Sequence, residues 1–125
     1  MAERILVIDD TQVIRKFLEE VLTDSGFIVD TAVDGKEGYE MVLSHDYAII
    51  FCDVHMPVMN GLQAVSEIKA IRPDIPIIMT DSFPEREAEE AARMGAICCL
   101  TKPFDLQELK ATVNRILKRK VPVNR

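Results

Sequence analysis

Five short apolar runs, Ile5 to Ile8, Phe27 to Ala32, Ala48 to Cys52, Ile75 to Met79 and Ile97 to Leu100, alternate along the chain with five longer segments of helical character. Runs so short and so nearly unbroken suit strands buried on both faces. Strands that alternate with helices pair in parallel, because each helix carries the chain back along the sheet. The expected fold is therefore α/β, a doubly wound five-stranded parallel sheet with five helices. Asp30 interrupts the second run, which predicts an edge position for that strand.

The intervening segments carry helix signals. Val13, Ile14, Phe17, Leu18, Val21 and Leu22 draw one apolar stripe at helical spacing, and Gly26 supplies the stop. Asp34 precedes a helix ending near His45, Asn60 can cap one running through Ile71 before Pro73, and Asp105 with Glu108 opens the last, whose stripe is Leu109, Val113, Ile116 and Leu117. Ser82 and Glu85 have capping-box spacing for a fourth helix, with Pro84 in its first turn. The inner face of that helix offers mainly Ala88, Ala91, Ala92 and Met94, so it is expected to be the least anchored.

A chain of 125 residues, 48% hydrophobic, suffices for one core, which predicts a single domain over residues 1–120 with a tail at 121–125. The net charge of -6 argues against direct binding to nucleic acid or an anionic membrane, both of which reward Lys and Arg. No apolar stretch approaches the roughly 20 residues that span a bilayer, and Met1-Ala2-Glu3-Arg4 lacks the apolar core of a signal peptide, so a cytoplasmic location is expected. The three cysteines, two of them adjacent at Cys98 and Cys99, form neither a disulfide framework nor a metal-ligand spacing; small core residues in a reducing compartment are expected.

Chemistry gathers at the ends of the runs. Asp9 and Asp10 close the first and Asp53 closes the third, so parallel pairing brings three carboxylates to one edge of the sheet, where open α/β sheets place their sites. Crowded acids repel, and a hard divalent cation such as Mg²⁺ is the simplest compensation. Thr80 brings a hydroxyl and Lys102 an ammonium to the same edge. Acids for a metal, a carboxylate nucleophile, and a hydroxyl with a cation for the equatorial oxygens are the parts that phosphoryl transfer needs.

With these pieces in this order, the chain resembles the receiver domain of two-component response regulators, CheY-like, over essentially all of residues 3 to 119. The matching pieces are Asp9-Asp10, Asp53 with Met56-Pro57 and Asn60-Gly61, Thr80, and Lys102-Pro103-Phe104. Each alone is an ordinary turn or strand-end feature; five in order make a specific signal. The resemblance implies the flavodoxin-like strand order 2-1-3-4-5 and makes Asp53 the phosphoryl acceptor, with Thr80 and Lys102 bonding phosphoryl oxygens. It implies Mg²⁺ on Asp10, Asp53 and the main-chain carbonyl of His55, with Asp9 acting through water, and a cis Lys102-Pro103 bond. The partners implied are a sensor histidine kinase or phosphotransfer protein as donor, and a protein output partner on the fourth helix, fifth strand and last helix, the receiver being a monomer or weak dimer. Such a chain is a signalling phosphoprotein that catalyses only its own phosphorylation and dephosphorylation, either standing alone or cut from a longer regulator.

Four residues are expected to modulate this chemistry: His55, Asp81, Ser82 and Cys99. His55 follows the acceptor by two residues, a position that faces the phosphoryl group in the family. Asp81 stands where receivers usually have a small residue bordering the entrance, and there it would oppose an incoming dianion. Cys99 stands where an aromatic ring usually marks two packings, and it is too small for that. Three alternatives are a pseudo-receiver acting as a phosphorylation-independent interaction module, a small haloacid-dehalogenase-like phosphatase, and a flavodoxin. The phosphatase wants an acid where this chain has His55, and Asp9-Asp10 would repel the phosphate of a flavin.

Overall fold

Unbranched loops and tight caps divide the chain into the alternation that the apolar runs predict. The computed structural model describes residues 3–54, 56, 59–81 and 95–117. In chain order the elements are β1 (Arg4–Ile8), α1 (Gln12–Asp24), β2 (Ile28–Ala32), α2 (Gly35–Ser44), β3 (Ile49–Asp53), α3 (Gly61–Ile71), β4 (Ile77–Asp81), β5 (Cys98–Thr101) and α4 (Leu106–Ile116). The strands form one sheet of order β2-β1-β3-β4-β5 with every pairing parallel. The helix expected from Ser82 to Met94 and the tail from Lys118 lie outside the described residues.

Two apolar layers sandwich the sheet. On one face Leu6, Ile8, Ile50, Cys52, Ile77 and Met79 pack against Val42 of α2 and Ala64, Val65 and Ile68 of α3. On the other, Ile5, Val7, Ile49, Phe51, Ile78 and Leu100 meet Leu18 and Leu22 of α1 and Leu109 and Val113 of α4. Each fully buried Leu or Ile contributes about 1.5–3 kcal/mol. Burial on both faces explains why β1, β3 and β4 read as continuous apolar runs rather than alternating ones.

The apolar stripe of α1 is narrower than its sequence pattern. Leu18 and Leu22 are buried, while Val13 is 74% exposed and Phe17 lies at the margin, its ring stacked on Phe104 with centroids 6.1 Å apart. A helix that shares one sheet face with α4 needs only part of a stripe widened by adjacent apolar pairs. Gly26 ends α1 as expected, with a φ of 99° in the left-handed region. Asp34, Asn60 and Asp105 cap α2, α3 and α4, each accepting from the backbone N–H three residues on.

Asp30 places β2 at the edge, as predicted, and it is not idle there. Nη1 of Arg4 donates to both its carboxylate oxygens at 3.0 Å, and the Tyr47 hydroxyl donates to Oδ2 at 2.8 Å. Burial, then that hydrogen bond, push the Tyr47 phenol up from its ordinary pKa. The triad closes the end of the sheet opposite Asp53 and went unread in the sequence, since its members lie 17 and 26 residues apart from Asp30.

Three strands reach further than their apolar runs, β5 by one residue to Thr101. β3 ends on Asp53 itself and β4 includes Thr80 and Asp81, while Pro76 holds Ile75 outside the ladder. α3 starts hard against the end of β3. The Gly61 N–H donates to the Val54 carbonyl at 2.8 Å, and a Cβ on Gly61 would collide with the Asp53 carbonyl oxygen. Gly61→Ala therefore forces α3 off the β3 terminus and is expected to cost about 1–3 kcal/mol, measured by denaturant unfolding.

Candidate functional site

The edge formed by the carboxyl ends of the strands collects the polar residues. Asp9 follows β1, Asp53 ends β3, Thr80 sits in β4 and Lys102 follows β5. Asp53 and Thr80 are register partners on adjacent strands, so their side chains project from the same face, with backbones roughly 4.8 Å apart. Both are buried, as is Asp9 at 1% exposure.

Lys102 ties the edge together. Its Nζ lies 2.9 Å from Asp9 Oδ2 and 3.1 Å from Asp53 Oδ1, reaching across β4 to the ends of β1 and β3. Burial alone would lower the pKa of this ammonium, but the hydrogen bond and charge of Asp9, with those of Asp53, hold it above its ordinary value. The Lys102–Pro103 peptide is cis, in agreement with the resemblance.

One cation does not neutralise this cluster. Asp9, Asp10 and Asp53 each present a carboxylate oxygen, and these lie within 4.8 Å of one another. Burial and the neighbouring charge of Asp9 push the Asp53 carboxyl up from 3.8 to about 6, against the opposing pull of Lys102 and with a further push from Asp10. Three hard oxygen donors with a surplus of negative charge fit Mg²⁺, which prefers carboxylates and retained waters. One Asp9 oxygen accepts from Lys102 and the other from Thr11 N–H at 2.9 Å. His55, expected to supply a carbonyl and a modulating side chain, and Ser82 lie outside the described residues.

Asp81 is neither a solvent-facing turn residue nor on the same sheet face as Thr80 and Asp53. It is the last residue of β4, 1% exposed, in register with Thr101, and strand alternation turns its side chain to the sheet face opposite Asp53. Cys99 is half-buried and in register with Met79, packing against the α2–α3 side of the core. Cys52 neighbours Asp53 in sequence but also faces away from it; burial and the charges of Asp53 and Asp9 push its thiol up, so it holds its proton. Arg15 was missed in the sequence. Its Nη1 donates to the Asp9 carbonyl at 2.7 Å, a contact hidden in an ordinary amphipathic helix.

A doubly wound sheet with this strand order and a buried acid–lysine cluster at its carboxyl edge defines an α/β protein whose site is built to manage negative charge. Residues 5–114 match the family described as the response regulator receiver domain. A response regulator ArlR from Staphylococcus aureus is 35% identical over 116 residues, 93% of this chain and 53% of that protein. Among solved structures, the chemotaxis protein CheY4 of Vibrio cholerae superposes with a TM-score of 0.88 at 31% identity, covering 93% of this chain and 99% of that one. CheY of Borrelia burgdorferi, crystallised in a CheX-CheY-BeF3-Mg complex, gives 0.87 at 27% identity, covering 92% and 89%.

The chain belongs to the response regulator receiver family of two-component signalling. It spans about half the length of the curated relatives it matches. Membership sets aside the flavodoxin and phosphatase alternatives. Among the described residues no helix is long and apolar enough to cross a membrane.

The upward shift of Asp53 has a consequence for stability. Its carboxyl is raised on folding, so its contribution is most favourable below 3.8 and is lost as pH rises through about 6. Asp53→Asn removes a buried charge that the fold disfavours. In metal-free buffer at neutral pH the variant is expected to melt several degrees above the wild type, on the order of 1 kcal/mol, with the gap closing as the pH falls below about 6. Melting curves across that range, recorded with a chelator present, check the sign.

Proposed function

We propose that this receiver accepts a phosphoryl group on Asp53 from a phosphohistidine of a sensor histidine kinase or phosphotransfer protein, and thereby switches its binding to a protein output partner. The observation that carries the reading is the convergence of the buried Asp53 and Asp9 carboxylates with the exposed Asp10 and the Lys102 ammonium at one edge of the sheet. The acyl phosphate formed there would be a dianion, one negative charge more than the carboxylate it replaces, so the Lys102 ammonium and a divalent cation are needed to balance it.

In the proposed transfer, an Asp53 oxygen forms the bond to phosphorus as the nitrogen–phosphorus bond of the donor breaks, and the donor ring, already protonated on its other nitrogen, leaves as neutral imidazole. Lys102 pairs with a phosphoryl oxygen in place of the carboxylates it now bridges. The Thr80 hydroxyl, on the same face as Asp53, donates to another. Asp10 and Asp53, with the His55 carbonyl, would hold Mg²⁺, which when bound supplies charge neutralisation for the transferred group. That the Borrelia CheY was crystallised with BeF3 and Mg supports this reading. Any modulation by Asp81 acts through the β4 backbone, because its side chain lies on the other face.

Incubation with acetyl phosphate and Mg²⁺ is expected to add one phosphoryl mass, which Asp53→Asn abolishes. No gain in mass for the wild type would favour the pseudo-receiver, a module that binds partners without phosphorylation. Millimolar Mg²⁺ is also expected to raise the melting temperature by relieving repulsion among the acids, and Asp10→Asn to blunt that rise. A wild-type melting temperature indifferent to Mg²⁺ counts against the cation site.

A further inference from the structure

We infer that Arg15 is a positioning residue that fixes the Asp9–Asp10 turn, and through it the candidate cation site, an inference that rests on the Mg²⁺ reading above. Arg15 stands near the start of α1, its own N–H bonded to the Thr11 carbonyl at 3.1 Å. From there Nη1 reaches back to the Asp9 carbonyl at 2.7 Å. Every polar atom of Asp9 is thereby engaged. Its N–H donates to the Ala32 carbonyl at 3.1 Å, Oδ1 accepts from Thr11 N–H and Oδ2 from Lys102.

Asp10 is the contrast. It is exposed, and its side chain makes no hydrogen bond among the described residues, yet its carboxylate lies in the acid cluster. Its direction is set by the backbone on either side. The peptide plane between Asp9 and Asp10 contains the carbonyl that Arg15 grips, so the guanidinium fixes the orientation from which the Asp10 side chain departs. α1, packed on the sheet through Leu18 and Leu22, gives that grip a rigid base.

Charge and position make opposite forecasts, which renders the role testable. Arg15 is permanently cationic, so by Coulomb's law alone its removal should strengthen binding of a nearby cation. A residue that holds a ligand in place predicts the reverse, and loss of such a support typically weakens metal binding at least 10-fold. Mn²⁺ serves as the probe, its free-ion electron paramagnetic resonance signal reporting the bound fraction at fixed ionic strength and neutral pH. Arg15→Met keeps the apolar stem but removes donors and charge, and it is expected to weaken Mn²⁺ binding about 10-fold. Arg15→Lys, which retains a donor, should recover most of that loss. Lys16→Met removes an exposed charge one residue along α1 and should leave affinity unchanged or slightly tighter. Should Arg15→Met fail to fold, Arg15→Gln is expected to bind more weakly than Arg15→Lys. A wild type that binds Mn²⁺ while Arg15→Met binds as tightly or more tightly overturns the role of Arg15 alone. A wild type that binds no Mn²⁺ at millimolar concentration overturns the cation site, and the inference with it.

Discussion

One ammonium shared by two buried carboxylates organises the functional edge of this receiver. Lys102 lies beyond the edge strand β5, while Asp9 follows β1 and Asp53 ends β3, so both contacts cross over β4. Ion pairs between buried groups are favourable only when the remaining lone pairs are satisfied. Asp9 meets that condition with backbone and side-chain partners on all sides, whereas Asp53 keeps a carboxyl raised to about 6. The edge is thus locked at one acid and left under electrostatic load at its neighbour.

Strand alternation sorts chemistry from packing at the same edge. Asp53 and Thr80 project from one face, and Cys52, Val54 and Asp81 from the other. Neighbouring residues of one strand are thereby turned to opposite faces of the sheet. Gly61 is demanded where α3 abuts the Asp53 carbonyl at the end of β3, and a single methyl would hold the helix away.

Much of this was legible in the sequence. Apolar runs bounded by caps gave all five strands and the four described helices, because a buried parallel strand tolerates few polar residues and a helix start needs an acceptor for its unpaired N–H groups. Asp9, Asp10, Asp53, Thr80 and Lys102 were readable as a set because parallel pairing sends every strand's carboxyl end to one edge. The second strand's polar Asp30 marked an edge for the same reason. Strand ends were less legible, since a ladder can continue onto Asp53 or Asp81 after the apolar signal stops.

The sequence by itself determined the alternation, the parallel pairing and the residue types gathered at the carboxyl edge, all of which follow from local periodicity and connectivity. Only the tertiary structure decided which partner each of those residues holds. Arg15 grips the Asp9 carbonyl, Asp30 joins Arg4 and Tyr47, and Asp81 is turned and buried away from Asp53. These outcomes depend on how helices settle on the sheet and on which side of a strand a residue falls, and side-chain reach across space leaves no periodic trace in the chain.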